Sequence, residues 1–122
     1  MANDFKRFAK PSVGTSTGAS ADAVYTVPAG AGSTALESIV IGITLANKTS
    51  TGVTASVFLD NEDGSNDVFI VKDATVPAGS SLEIMSGNKL VVQNDGSNAD
   101  VIRISCGTGS ALDAVVTVLE DV

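Results

Sequence analysis

The pentapeptide Thr-Val-Pro-Ala-Gly occurs twice in this chain, at Thr26–Gly30 and at Thr75–Gly79, each time followed by small Gly/Ser residues and then an apolar run. Proline lacks the N–H that a sheet ladder needs, so Val-Pro-Ala-Gly reads as a strand that ends and turns a corner. Two such corners within 122 residues predict a compact β-fold that uses one kind of connection twice. A second echo, Asp63-Gly64-Ser65-Asn66 and Asp95-Gly96-Ser97-Asn98, places a turn signal in each half of the chain.

Period-two alternation fills the space between these marks. Glu37–Asn47 is the clearest strand, with Ile39, Ile41, Ile43 and Leu45 on one face and Ser38, Val40, Gly42 and Thr44 on the other. Thr34–Asn47 is long enough for a helix, but the density of β-branched residues and Gly42 argue against one. Lys48–Gly52 turns the chain, and Val53, Ala55, Val57 and Leu59 then alternate with Thr54, Ser56, Phe58 and Asp60, which predicts an antiparallel pair with the preceding strand. Further strands are expected at Ala23–Val27, Val68–Lys72, Ser81–Met85, Lys89–Gln93, Asp100–Cys106 and Asp113–Leu119, with Ser86-Gly87-Asn88 as a hairpin turn. About eight to nine short strands at intervals of roughly ten residues predict an all-β antiparallel jelly roll or β-sandwich. It forms a single domain: residues 1–13 as a first strand or interface arm, 14–22 as a flexible Gly/Thr/Ser/Ala connection, and 23–122 as the body.

Composition narrows the chemistry. Tryptophan is absent and aromatic residues make up 4%, so the core must come from Val, Ile, Leu and Ala. There is no histidine, which removes Ser-His-Asp and Cys-His catalysis and most zinc sites. Gly14-Thr15-Ser16-Thr17-Gly18 matches a nucleophile elbow by letter but lacks the base and the strand-to-helix turn. Gly107-Thr108-Gly109 lacks the lysine of a phosphate loop. Asp60, Glu62, Asp63 and Asp67 form the densest acidic group, but an EF-hand register centred on Gly64 puts Leu59 first and Ile70 twelfth, so a solvated loop is expected, with a loose calcium site built on loop geometry as the alternative. Cys106 alternates with Ile102 and Ile104, away from Arg103, and reads as a buried hydrophobe. No cofactor is expected, and the chain reads as a non-enzyme.

Charge is segregated along the chain. The net charge is −7, yet the first ten residues carry Lys6, Arg7 and Lys10 against Asp4 alone. An acidic body is poorly suited to a phosphate backbone, so nucleic acid is not an expected partner. No apolar run is long enough for a membrane span, and residues 1–20 lack the apolar stretch of a secretory leader. Asn47-Lys48-Thr49 is a sequon by letter and reads as a turn. In Phe5-Lys6-Arg7-Phe8 apolar and cationic groups interleave, so Phe5, Lys6, Arg7, Phe8 and Lys10 are the expected partner-binding residues. Removing residues 1–10 is expected to abolish attachment to the partner without unfolding the body.

Several stretches resemble one kind of sequence: Asn3-Asp4-Phe5-Lys6-Arg7-Phe8, Val24-Tyr25-Thr26-Val27-Pro28-Ala29-Gly30, the run from Ile70 to Leu82, Asp100-Val101-Ile102, and the closing Val118-Leu119-Glu120. Together they resemble small virion structural proteins of tailed bacteriophages, especially those of cyanobacteria and marine bacteria. The resemblance implies a particle component, assembled in the host cytoplasm and located in the virion, without naming its place there. A capsid decoration (cement) protein, trimeric and bound to the major capsid protein or another virion protein, is the leading expectation. A tail, neck or fibre-associated protein is the alternative. A glycan-binding sandwich comes third, and it predicts affinity for host polysaccharide and an exposed Tyr25 or Phe58.

Overall fold

In the computed structural model, which describes residues 3–61, 67–85 and 87–121, the chain pairs from its two ends inward. Strand β1 (Asn3–Lys10) lies antiparallel to β9 (Leu112–Asp121), and β2 (Asp22–Thr26) to β8 (Val101–Cys106). Strand β3 (Leu36–Asn47) takes both β6 (Ser81–Glu83) and β7 (Leu90–Asn94), while β4 (Val53–Asp60) takes β5 (Asp67–Val76). Sheet A runs β1-β9-β3 and then β6 and β7, and sheet B runs β2-β8-β4-β5. All pairs are antiparallel, and the nested pairing divided between two sheets is jelly-roll topology. The all-β expectation is met, with nine strands among the described residues and a single 3-10 turn at Gly18–Ser20. Among those residues no helix is long and apolar enough to cross a membrane.

The core between the sheets is built from branched aliphatics, including Val40, Ile43, Leu45, Val57, Ile102, Ile104, Leu112, Val116 and Val118. Burying one such side chain contributes about 1.5–3 kcal/mol, so a core without tryptophan suffices when both sheets contribute a full face. The two Thr-Val-Pro-Ala-Gly segments do use one connection twice. Each leaves the end of a sheet-B strand, β2 or β5, and carries the chain across to sheet A. Val27 and Val76 are buried at the corners, while the prolines that follow are exposed.

Three expectations are corrected. Strands β3 and β4 are not a hairpin, because the turn after Asn47 takes the chain from sheet A to sheet B. The cause is local. The Asn47 side-chain amide donates to the carbonyls of Thr51, Val76 and Pro77, and its Oδ1 accepts from Thr49 N–H at 2.9 Å. This buried amide locks the turn against a sheet-B corner, which also removes Asn47 as a glycan acceptor. Second, β6 and β7 do not pair with each other. They lie in succession along one edge of β3, against Thr44–Ala46 and Leu36–Val40 respectively. At the break between them the Glu83 carboxylate accepts from Ile43 N–H and Thr44 Oγ1–H, replacing the missing ladder. Ser86 of the expected turn lies outside the described residues.

Third, the two faces of β3 change over at a bulge between Val40 and Gly42. Ser38 and Val40 point inward before it, and Ile43, Leu45 and Asn47 after it, so Ile39 belongs to the outer face rather than sharing one with Ile43. One inserted residue reverses the alternation, and sequence periodicity carries no marker for it beyond Gly42.

Residues 14–22 pass from β1 to β2 with hydrogen bonds at both ends. Cys106 N–H donates to Gly14 C=O, Gly14 N–H to the Asp22 carboxylate, and Arg103 to Ala21 C=O. Cys106 itself is buried, as its alternation predicts. Residues 62–66, which include Glu62, Asp63 and the first Asp-Gly-Ser-Asn, lie outside the described residues.

Candidate functional site

Strand β1 is an edge strand of sheet A, paired with β9 along its whole length from Asn3 opposite Asp121 to Lys10 opposite Ala114. Alternation therefore splits the five expected partner-binding residues between two faces. Phe5 and Arg7 project from the outer face, where Phe5 is 75% exposed. Lys6 and Phe8 lie on the face toward sheet B, where Phe8 is half-buried and Lys6 stays exposed, and Lys10, on the same alternation, is half-buried.

The inward pair serves the fold. The Phe8 ring packs 4.7 Å from the Tyr25 ring, and the Lys6 ammonium lies 2.9 Å from Glu120 Oε1. Glu120, read from sequence as part of a closing stretch, is 1% exposed because the alternation of β9 continues through it into the interior. Its Oε2 accepts from the Tyr25 hydroxyl at 2.7 Å, and that hydroxyl also bonds Ser38 Oγ at 2.9 Å. The Lys6 ammonium is the partner of Oε1. An unpaired carboxylate at this depth costs several kcal/mol, and the Lys6 ammonium against it offsets that cost. Hydrogen bonding and attraction to Glu120 raise the Lys6 ammonium above its ordinary value, and burial drives the Tyr25 phenol well above its own.

This placement corrects the expectation that residues 1–10 are separable. Their removal takes away eight residues of ladder, the Phe8–Tyr25 contact and the cation opposite a buried carboxylate. It also corrects the markers for glycan binding, since Tyr25 and Phe58 are both buried.

What the outer face of sheet A offers is larger than β1. Phe5 is opposite Leu119, Leu119 is opposite Ile39, and Ile39 is opposite Val91. Four strands thus place four large apolar residues in one row across the sheet, about 14 Å long at ordinary strand spacing. Phe5 and Val91 are the exposed ends, and Ile39 and Leu119 are half-buried between them. Arg7 lies one step along from Phe5, opposite Thr117, and Glu37 one step the other way from Ile39, opposite Gln93. Scattered exposed apolar residues are ordinary, whereas a contiguous row rimmed by polar groups marks a contact surface. Sequence reasoning found Phe5 and Arg7 but missed Ile39, Val91 and Leu119, because the row exists only in the register between strands distant in sequence.

Among the described residues no group of three or more acidic or cysteine side chains is arranged to hold a metal ion. Comparison of the chain with protein-family models, with curated proteins and with solved structures finds no match in any of the three.

Proposed function

We propose that this chain is a non-enzymatic structural protein of a tailed-phage virion, a capsid decoration protein that docks through the outer face of sheet A. The observation that carries the reading is the row Phe5–Leu119–Ile39–Val91, a contiguous apolar surface with Arg7 and Glu37 at its rim. The likeness of the sequence to small virion proteins supports the setting, and jelly rolls recur in viral shells, a fold-level analogy only. Docking of this kind needs a rigid scaffold and one apolar patch, with polar groups fixing orientation at the rim. Three copies around a symmetry axis of the shell fit the same reading, since closed symmetric oligomers suit such positions. A tail, neck or fibre position remains the second reading, because the same surface serves an adaptor equally well.

The test is re-attachment of purified protein to particles stripped of it. A double variant, Phe5→Asp with Arg7→Glu, changes two outward side chains without touching the core. It should bind about tenfold more weakly or worse while melting like the parent. Undiminished attachment of the folded variant removes this face from the docking role.

A further inference from the structure

The outer face of sheet B, on the opposite side of the sandwich, carries a groove of about 550 Å³. Its floor comes from Thr54, Ser56 and Phe58 of β4 and Ser105 of β8; one side is Thr15, Thr17 and Gly18 of the β1–β2 connection, the other Phe69, Lys72 and Asp73 of β5. We infer that this groove is a saccharide-binding site, with Phe69 as the stacking platform and Asp73 and Lys72 as the orienting polar groups.

Two independent features point there. The first is a built irregularity. Ala55 is opposite Ala74 but Val57 is opposite Val71, so Lys72 and Asp73 bulge against Ser56 alone. Asp73 sits at φ 52, a left-handed conformation that non-glycine residues seldom take. It is held there by its N–H donating to Ser56 Oγ at 3.0 Å. Bulges of this kind re-aim side chains, and here both charged residues line the groove. The second is Phe69, 49% exposed, with its ring 5.4 Å from the buried Phe58 ring that backs it. An aromatic held from behind and open in front is a flat apolar plate. Lys72 Nζ lies 5.7 Å from its centroid, a marginal cation–π distance that a ligand displaces at little cost.

The chemistry of the lining selects the ligand class. Hydroxyls from Thr15, Thr17, Thr54, Ser56 and Ser105 both donate and accept, which matches a ligand that is itself hydroxyl-rich. One ammonium beside one carboxylate gives no net charge to recruit a phosphate or a polyamine. A sugar ring offers the missing combination, an apolar C–H face for Phe69 and an equatorial rim of hydroxyls. The groove volume lies in the range of small-molecule sites, and its open shape fits a short stretch of polysaccharide. This site does not depend on the docking surface, and on a shell-bound protein it lies on the face turned outward.

The experiment is an amide NMR titration of the isolated protein with cellobiose and, separately, with di-N-acetylchitobiose. At least one sugar should shift amides in 69–73, 105–107 and 15–18, saturating at about millimolar concentration. Phe69→Ala should weaken that binding about tenfold, and Asp73→Asn, which tolerates the same backbone, should weaken it while the spectrum stays native. Phe5→Ser, on the opposite face, should leave it unchanged. The inference is overturned if neither sugar shifts these amides up to about 10 mM, or if the shifts survive Phe69→Ala in a folded protein. Because no particle is involved, either result leaves the docking reading to its own test.

Discussion

The side-chain amide of Asn94 donates to the backbone carbonyl of Val27 at 2.8 Å, joining the end of β7 to a corner 67 residues away in sequence. Asn47 does the same to Val76 at 3.0 Å. In both cases Oδ1 accepts from the N–H two residues on, Gly96 for Asn94 and Thr49 for Asn47. The two Thr-Val-Pro-Ala-Gly corners are therefore closed by the same device, a buried asparagine that ends a sheet-A strand and satisfies a carbonyl of a sheet-B corner.

Loss of either amide leaves a buried carbonyl unpaired and an Asx turn open. Asn94→Ala and Asn47→Ala should each lower unfolding free energy by about 1–3 kcal/mol, with Asn47 the larger because its amide donates three ways. Urea unfolding checks this, with exposed Asn88→Ala as the control expected within about 0.5 kcal/mol of the parent. Equal effects for all three would mean that the clamps contribute nothing.

Stability should fall on the alkaline side. The folded state holds the Tyr25 phenol and the Lys6 ammonium protonated above their ordinary values. Between those ordinary values, about 10 to 10.5, and the higher folded ones, the unfolded chain releases protons that the folded chain keeps. Unfolding is then favoured as pH rises, so urea midpoints should drop from about pH 9 upward. Tyr25→Phe should flatten that slope while costing about 1.5–3 kcal/mol at neutral pH through the lost bond to Glu120. An unchanged slope in the variant would separate Tyr25 from the effect.

On the acid side, Asp113 is held below the ordinary carboxylate range by Ser12 N–H and Lys48, and Asp95 by the N–H groups of Asn98 and Ser97. Their contribution is present above the ordinary aspartate value and is lost as pH falls below it. Both are exposed, so Asp113→Asn should move the acid midpoint only slightly, which a pH-jump melt resolves.

Truncation and point substitution at β1 should part company. Removal of residues 1–10 should unfold the protein or cut its stability by several kcal/mol, since it uncovers β9 and strands Glu120. Phe5→Ser should melt within a degree or two of the parent, because Phe5 faces solvent. A truncated chain with native melting would contradict the placement of β1.

Strand positions were legible in the sequence because burial on one face imposes a two-residue period that short-range reading detects. Partnership was not. The Glu37–Asn47 and Val53–Leu59 segments have every local mark of a hairpin, yet Asn47 sends them to different sheets through contacts with Val76 and Pro77, thirty residues on. Ile39 changed face because of one bulge, and Phe58, on the outer face of sheet B, is buried against Phe69. Phe5 and Arg7 were visible as members of a segment in which apolar and cationic residues interleave, but not as the two that face outward. Ile39, Val91 and Leu119 were not, since nothing local ties them to Phe5. Glu120 lay just beyond the expected last strand, Asp113–Leu119, and the alternation of β9 continues through it into the interior.

Cys106 offers a simple check on the interior. Burial pushes its thiol above the ordinary range, and its Sγ lies 2.9 Å from Thr108 C=O and 3.3 Å from Val13 C=O. Maleimide labelling at neutral pH should be negligible in the native protein and complete in urea. Rapid native labelling would place the residue at an open surface.

The central claim is occupancy of the phage head, and the direct measurement is the ratio of this chain to the major capsid protein in purified particles by quantitative mass spectrometry. Decoration predicts a ratio of the same order as one. A ratio about ten or more times smaller would contradict it and move the protein to the neck, tail or fibres.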